Sequence, residues 1–372
     1  MKKLFLTLFL LFIMIPKVNA TDLAPSASSV IVIEPTTGEI IYERNSNERR
    51  HPASMTKIMT MLLTLEAIEK GNISWEEIVT VSENASSMGG SQILLETGEQ
   101  MSVYDLFKGL AVASGNDAAV ALAEKIAGSE EEFVNMMNER AKQLGLTNTN
   151  FKNCHGLDDP NHYSSAYDMS MMAKELVKHE KVFEFTSIYE DYLRKNTNRS
   201  FWLVNTNKLV KFYPGVDGLK TGYTKEAGYC ITATANKNDM RIITVVMGEP
   251  DTKTRNSEVS SIFDYVYAQY GINKIVDENE IVDEVTVEKG KKEKVNIISK
   301  ENVVDLYKKS DGVKDISYEV NINKLIAPIK KGDVVGNIKL SDGRIIELTV
   351  EEDIKKANIF EILYRNFINV IN

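Results

Sequence analysis

The sequence predicts an α+β fold, in which a five-stranded antiparallel sheet is flanked by helices and followed by a small all-β domain and a C-terminal amphipathic helix. Strand-like segments occur near both ends of the first 270 residues, and helical periodicity fills the stretch between them. That order is typical of one mostly antiparallel sheet covered by helices. Near residue 275 Glu, Lys, Asp and Val become frequent, and short alternating segments indicate the separate β domain.

The N-terminal half supplies a hairpin and a series of helices. Residues 29–44 contain two strand-like apolar runs on either side of a turn at Gly38, which is the pattern of a β-hairpin. A helix follows residues 52–54 and is ended by Gly71 and Asn72. Further helices are predicted from Ser102 to Ala113, from Asp117 to Ala127, and from Ser129 to near Gly145.

The second half returns to strand periodicity. Three strands are predicted at 218–223, 229–235 and 241–247, and a closing helix at 256–270. The later alternating segments are 294–298, 316–322, 336–340 and 344–350. We therefore expect a first domain at 21–272, a β domain at 273–350 and a helix at 351–372.

Composition narrows the function classes. Of the 372 residues, 43% are hydrophobic and 26% are charged, which favours folded domains over a disordered chain. The net charge of −9 and the lack of a dense basic stripe argue against nucleic-acid binding. We therefore expect no nucleic-acid partner.

The first twenty residues have the layout of a secretory signal peptide. Lys2 and Lys3 precede an apolar run from Leu4 to Ile15, and small residues end at Ala20. The run is shorter than the roughly 20 apolar residues that cross a bilayer. The sequence therefore predicts an exported, extracytoplasmic protein.

Ser54 and Lys57 are the first residues that indicate chemistry. Three positions apart on a helix, they share one face. A lysine of depressed pKa can take the proton of a serine hydroxyl and so make it a nucleophile. Backbone N–H groups at the start of the helix could hold an oxyanion.

Two later elements add polar groups to predicted core positions. Ser114 and Asn116 interrupt an apolar pair of helices, which is costly unless their polar groups are used. Lys220, Thr221 and Gly222 lie on a strand, where a cation and a hydroxyl could bind a substrate carboxylate. The glycine would let a substrate backbone lie along the strand.

Each element alone also has an ordinary structural explanation. Ser54 could be an N-cap, Asn116 a turn former and Lys220 an exposed strand charge. About two S-x-x-K and about two S-x-N matches would arise by chance in a chain of this length. The three motifs together, in this order and in fitting contexts, favour a functional site.

The set S-x-x-K, S-x-N and K-T-G resembles the serine penicillin-binding proteins and serine β-lactamases. The sequence around these three motifs, over roughly residues 25–250, is similar to the low-molecular-weight D-alanyl-D-alanine carboxypeptidases of peptidase family S11. The segments that carry this resemblance are 52–60, 87–92, 113–118, 155–157, 163–168 and 215–222.

The resemblance implies a β-lactamase/transpeptidase-like domain and a serine hydrolase that removes the terminal D-alanine from peptidoglycan peptides in cell-wall biogenesis. It implies that β-lactams inhibit the enzyme and that it needs no cofactor or metal. The implied catalytic residues are Ser54 as nucleophile, Lys57 as general base and Ser114 as proton relay. The implied substrate-binding residues are Asn116, Lys220, Thr221, Gly222 and Tyr223, with the N–H groups of Ser54 and Tyr223 as oxyanion hole.

Several residues do not extend the pattern. Some relatives carry an arginine in an N-R-N-type segment before K-T-G, whereas this chain has Thr206 between two asparagines. Cys154 and Cys230 could pair or remain free thiols. His155 is interpreted as a structural histidine, and no pair of histidines has metal-ligand spacing.

Two alternatives remain beside the carboxypeptidase. A serine β-lactamase of class A would carry a deacylating glutamate in an E-x-x-L-N-type segment, which the sequence lacks. A non-catalytic wall-binding scaffold would be expected to have lost at least one of the motif residues.

The sequence of the predicted C-terminal helix indicates contact with the membrane surface. Phe360, Leu363, Tyr364, Phe367 and Ile371 form an apolar stripe that is too short to span a bilayer. A helix lying in the outer face of the cytoplasmic membrane fits this stripe, and relatives in the family are anchored in this way. Packing on the β domain is the alternative.

Overall fold

The computed structural model describes residues 22–313 and 315–363. The α-helices are α1 Lys57–Glu69, α2 Glu83–Ser86, α3 Val103–Ala113, α4 Asn116–Ala127, α5 Glu130–Gln143, α6 Ala166–Leu176, α7 Phe183–Thr186, α8 Leu209–Phe212 and α9 Thr252–Gln269. Single 3₁₀ turns occupy Ala53–Thr56 and Glu180–Val182.

The strands of the first domain are β1 Ser29–Ile33, β2 Ile40–Arg44, β3 Ile78–Thr80, β4 Gln100–Ser102, β5 Glu190–Leu193, β6 Phe201–Val204, β7 Val216–Thr224, β8 Gly228–Lys237 and β9 Met240–Glu249. Those that follow are β10 Tyr270–Val276, β11 Ile281–Glu288, β12 Lys294–Ser299, β13 Val303–Lys308, β14 Tyr318–Ile322, β15 Leu325–Ile326, β16 Gly336–Leu340 and β17 Ile345–Val350. The predicted signal peptide and residues 364–372 of the predicted terminal helix lie outside the described residues.

The central sheet has five antiparallel strands in the order β2-β1-β9-β8-β7. Side chains alternate across β1, so that Val30 and Val32 enter one hydrophobic cluster while Ile31 and Ile33 enter the other. Burial of each such side chain contributes about 1.5–3 kcal/mol. Helices cover both faces, which confirms the predicted fold class.

The helices begin where capping side chains satisfy their free N–H groups. Ser102 Oγ accepts a hydrogen bond from Asp105 N at 3.1 Å, and Ser129 Oγ accepts one from Glu132 N at 3.1 Å. The closing helix α9 begins four residues earlier than predicted, because Asp251 Oδ1 accepts from the N–H groups of two residues of its first turn. Periodicity alone does not mark a polar first turn.

The second domain has its own core. Within the described residues, its six-stranded sheet has the order β14-β16-β17-β12-β11-β15, and β10 pairs separately with β13. Val295, Ile297, Ile338, Leu348 and Val350 belong to one buried cluster. This arrangement confirms the predicted all-β domain, and residues 359–363 begin a helix after it.

The structure adds strands that the sequence analysis did not predict. Strands β10, β11 and β13 are among them, and most residues of β11 are at least partly exposed. The predicted strand at 336–340 matches β16 in its bounds. Among the described residues, no helix is both long enough and apolar enough to cross a membrane.

Candidate active site

Ser54 lies in the 3₁₀ turn that leads directly into α1. Ser54 is partly accessible, whereas Lys57, one turn later, is completely buried. Lys57 Nζ lies 3.1 Å from Ser54 Oγ. The predicted nucleophile and base are therefore within hydrogen-bonding distance.

The Lys57 amine is surrounded by uncharged acceptors. Its Nζ donates to Asn116 Oδ1 at 2.6 Å and to the His155 carbonyl at 2.6 Å. Burial lowers the pKa of Lys57 to about 7, although the nearby Cys154 and Asp117 raise it. Near neutral pH, much of this amine is unprotonated and can accept a proton.

The break between α3 and α4 brings Ser114 and Asn116 to the same region. Ser114 ends α3 in a left-handed conformation with φ of 64°, which is unusual for a residue with a side chain. Its Oγ is buried and has no hydrogen-bond partner among the described residues. A buried free hydroxyl is costly unless another molecule uses it.

Asn116 is held on both sides. Its Nδ2 donates to the Gly89 carbonyl at 2.7 Å while its Oδ1 accepts from Lys57. A Cβ on Gly90 would lie 2.8 Å from Asn116 Nδ2, so only glycine fits there. The loop at 87–92 thereby fixes the orientation of the Asn116 amide.

Strand β7 forms the open edge of the central sheet and passes beside Ser54. A Cβ on Gly222 would lie 2.8 Å from the Pro52 carbonyl oxygen and 3.2 Å from Ser54 N. Lys220 and Thr221 are buried, and Lys220 Nζ donates to the Thr221 carbonyl at 3.0 Å. The absence of a side chain at Gly222 permits this close approach.

Tyr223 differs from its neighbours on β7. Its side chain is 53% exposed and stacks on Tyr229 with ring centroids 4.3 Å apart. The ring therefore borders the site from the solvent side. Its predicted contribution is the backbone N–H group rather than the ring.

Arg255 on α9 is a cation that the sequence analysis missed. Its side chain is buried, and its Nη1 donates to the Cys230 carbonyl at 3.3 Å. Burial lowers the pKa of Lys220, and the positive charges of Lys57 and Arg255 lower it further. A negatively charged group would relieve this repulsion, but no motif marks a lone arginine within a helix.

The segment that lacks the expected arginine supports β7 from behind. Asn207 Nδ2 donates to the Gly218 carbonyl at 2.9 Å, and Asn205 Nδ2 donates to the Ile188 carbonyl at 2.7 Å. Both asparagines are buried. Asn207 contacts the strand directly, and Asn205 Oδ1 accepts from Asn207 N at 2.8 Å. The neighbouring Lys208 lies over the ring of Tyr189.

The histidines and cysteines occupy structural positions. His155 offers its carbonyl to Lys57, while its Nδ1 accepts from Leu157 N at 3.2 Å. Burial lowers the pKa of His155 to about 3, and the charge of Lys57 lowers it further. Cys154 and Cys230 are free, buried thiols.

Together these groups can perform acyl transfer. A partly accessible serine lies beside a buried amine, and the buried hydroxyl of Ser114 has no hydrogen-bond partner among the described residues. Two buried cations, Lys220 and Arg255, are close enough to repel each other. Such an arrangement can activate a serine, stabilise an oxyanion and bind a carboxylate. It needs no metal for any of these steps.

Comparison with known proteins agrees with this chemistry. A family model for D-alanyl-D-alanine carboxypeptidase, peptidase S11, matches residues 17–251, and one for the C-terminal domain of penicillin-binding protein 5 matches residues 270–356. The D-alanyl-D-alanine carboxypeptidase DacF of Bacillus subtilis is 51% identical over 93% of this chain and 90% of its own length.

Solved structures show the same similarity. Penicillin-binding protein 5 from Haemophilus influenzae has a TM-score of 0.69 and 33% identity, covering 89% of this chain and 98% of its own. Penicillin-binding protein D2 from Listeria monocytogenes, in its ampicillin-bound form, has a TM-score of 0.59 and 31% identity. It covers 65% of this chain and 98% of its own.

Proposed function

The chain belongs to the D-alanyl-D-alanine carboxypeptidase family and has the activity of a serine-type D-alanyl-D-alanine carboxypeptidase, and we propose that its nucleophile is Ser54. Its substrate is the peptide of peptidoglycan, and it binds penicillin. One observation carries the assignment of the nucleophile. Ser54 Oγ lies 3.1 Å from the amine of a completely buried lysine.

Lys57 acts as the general base in this proposal. A neutral amine has two N–H donors and one lone pair. Asn116 Oδ1 and the His155 carbonyl, each 2.6 Å away, take the two donors. The lone pair is then left to accept the proton of Ser54 Oγ.

Ser54 Oγ attacks the carbonyl carbon between the two D-alanines and forms a tetrahedral oxyanion. The backbone N–H groups of Ser54 and Tyr223 stabilise that oxyanion. The bond to the leaving D-alanine breaks, and Ser114 passes the proton from Lys57 to its amine. The buried Ser114 Oγ, for which the described part of the chain offers no hydrogen-bond partner, supports this relay.

The terminal carboxylate binds at Lys220 and Thr221. Arg255 adds positive charge behind them and so favours an anion at this edge of the sheet. Asn116 also binds the substrate amide, and Gly222 leaves room for the substrate backbone along β7. A D-alanine carboxylate has the negative charge that these cations favour.

Water then attacks the Ser54 ester and releases the shortened peptide. A β-lactam presents a similar acyl group next to a carboxylate, and attack by Ser54 Oγ opens its ring. The expelled amine stays attached to the same molecule and does not diffuse away. We infer that this acyl-enzyme persists for longer than that of the peptide.

The chain is further proposed to be exported and to attach to the outer face of the cell membrane. Residues 1–20 support export. The exposed apolar side chains of Ile359, Phe360 and Leu363 support membrane contact. The proposed division is a D,D-peptidase domain at 21–272, a β domain at 273–350 and a terminal segment at 351–372. The helix predicted to begin at residue 351 begins at residue 359 instead, because residues 354 and 356 form β-bridges with the β domain.

The test is release of free D-alanine from a peptide ending in D-Ala-D-Ala. We expect release by the wild type and none by Ser54→Ala, because that variant has no nucleophile. Ser310→Ala, which alters an exposed serine of the second domain, is the matched control and should keep full activity.

Both variants should show the thermal unfolding of the wild type. D-Alanine release by a folded Ser54→Ala protein would exclude Ser54 as the nucleophile. Rapid turnover of penicillin without D-alanine release would instead indicate a β-lactamase.

A further inference from the structure

The residue before the nucleophile has a backbone conformation that must be held in place. Ala53 has a φ of 48°, in the left-handed region that residues with side chains rarely adopt. It is 1% exposed and begins the turn that carries Ser54. Such a conformation persists only where neighbouring groups fix it.

A chain of hydrogen bonds ends at the carbonyl of Ala53. Lys152 N donates to His162 Nδ1 at 3.0 Å, which leaves the hydrogen of the neutral ring on Nε2. His162 Nε2 therefore donates to Thr56 Oγ1, 2.7 Å away. The Thr56 hydroxyl in turn donates to the Ala53 carbonyl at 2.8 Å.

The imidazole of His162, at the centre of this series of hydrogen bonds, is fixed and neutral. His162 is 2% exposed, and its ring packs edge-on against Phe151 with centroids 5.8 Å apart. Burial lowers the pKa of His162 to about 4, with Asp159 opposing and His51 adding to the effect. The direction of each hydrogen bond is therefore the same throughout the neutral pH range.

The Ala53 carbonyl and the Ser54 N–H belong to one rigid peptide plane and point in opposite directions. Two glycines allow neighbouring backbone to enclose this plane. A Cβ on Gly156 would lie 1.9 Å from the Ala53 oxygen, and a Cβ on Gly222 would lie 3.2 Å from Ser54 N. Fixing the carbonyl therefore fixes the direction of the Ser54 N–H.

We propose that His162 and Thr56 are positioning residues, which hold the Ala53–Ser54 peptide so that the Ser54 N–H points into the oxyanion hole. This inference rests on the proposed role of Ser54. The two side chains act through the backbone and do not touch the substrate. Their removal should slow the chemical step and leave the first binding of the ligand unchanged.

The first experiment compares Thr56→Val with Thr56→Ser in the full chain. Valine keeps the shape of threonine but has no hydroxyl, whereas serine keeps the hydroxyl. Stopped-flow labelling with a fluorescent penicillin gives the dissociation constant of the initial complex and the acylation rate constant separately. We expect valine to lower the acylation rate constant by about 10–100-fold at an unchanged dissociation constant, and serine to restore most of it.

The second experiment uses two replacements of His162 that each keep one of its nitrogen positions. The amide of asparagine reaches the place of Nδ1 and can accept from Lys152 N, but it cannot reach Thr56. The amide of glutamine reaches the place of Nε2 and can donate to Thr56. We expect His162→Asn to acylate about 10-fold or more slowly, and His162→Gln to stay close to the wild type.

The outcomes separate this inference from the proposed function. If the wild type is labelled at Ser54 and both Thr56→Val and His162→Asn acylate at its rate, the positioning role is excluded while the function stands. Equal losses in the asparagine and glutamine variants also exclude it, because a general packing defect would explain them. If Thr56→Val does not fold, Thr56→Ala carries the same expectation. A wild type that is not labelled at Ser54 contradicts the proposed function itself.

Discussion

Lys57 determines how acylation depends on pH. A protonated amine cannot accept the proton of Ser54, and burial lowers the pKa of Lys57 to about 7. The acylation rate constant should therefore rise as the pH increases, with its midpoint near pH 7, and level off above about pH 8. Stopped-flow labelling with penicillin between pH 5 and 9 measures this profile.

Lys57→Arg is the informative variant of the base. A guanidinium stays protonated at every accessible pH, so acylation should be lost across the range. A wild-type profile that is flat from pH 5 to 9 would contradict the assignment of Lys57 as base. Conversely, measurable acylation by a folded Lys57→Arg protein would mean that another group takes the proton.

At the residue scale, the sequence predicts the groups that lie in short motifs. Ser54 and Lys57 are three positions apart on a helix, and local geometry alone brings them together. Arg255 and His162 reach the site from elements far along the chain, where each is an isolated polar residue in an ordinary context. Only the tertiary fold brings such residues to Lys220 and Thr56.

At the element scale, the hairpin formed by β5 and β6 supports the loop beside Asn116. Arg194, directly after β5, forms an ion pair with Glu99 at 2.5 Å and donates to the carbonyls of Ile93 and Leu94. Asp117 accepts from Ile93 N at 3.0 Å on the opposite side of that segment. The hairpin and α4 therefore hold the same piece of chain.

Breaking this ion pair should be costly, because both partners are nearly buried. The side chains of Arg194 and Glu99 are 10% and 11% exposed, so Arg194→Ala removes one of two arginines from a nearly buried carboxylate, which keeps only its contact with Arg199 at 3.1 Å. We expect the free energy of unfolding, measured by urea denaturation, to fall by about 2 kcal/mol, because Arg199 still compensates part of the charge of Glu99.

The neighbouring Lys195 provides the matched control for Arg194. It pairs with Asp191 at 2.6 Å, but its side chain is 59% exposed and Asp191 also contacts Lys108. Lys195→Ala should cost less than about 1 kcal/mol. Equal effects of the two substitutions would mean that the Arg194 pair stabilises no more than a surface contact.

Individual strands also differ in how well they could be predicted from the sequence. Strands β8 and β9 contain long buried runs and were predicted in the correct order. The β5–β6 hairpin was not predicted, because each strand has four residues and only Leu193 and Leu203 are buried. Short strands with one inward side chain have no period that a sequence can display.

At the scale of the whole molecule, two hydrophobic cores meet at β10 and β13. Leu306 of β13 belongs to the cluster under α9, and Lys309 N donates to the Gln269 carbonyl at 2.8 Å. Strand β10 runs continuously through the predicted boundary at residue 273. A change in composition marks the second core in the sequence, but a strand shared by both domains leaves no such mark.

The terminal helix gives the last prediction, which concerns binding of the whole protein to lipid. Phe360 and Leu363 are 77% and 60% exposed, so their apolar surfaces are free to enter a membrane interface. Each would contribute about 1.5–3 kcal/mol on burial. The double variant Phe360→Ser, Leu363→Ser should therefore lower the partition coefficient into vesicles by about 100-fold or more.

Co-sedimentation of the full chain with phosphatidylcholine vesicles measures this partition. Ile345→Ser, which removes a 64% exposed apolar residue of β17, is the control and should bind as the wild type does. Because the net charge is −9, added phosphatidylglycerol should not strengthen binding if apolar burial drives it. Equal binding by the double variant and the wild type would exclude the helix as an anchor, and would favour its packing on the β domain instead.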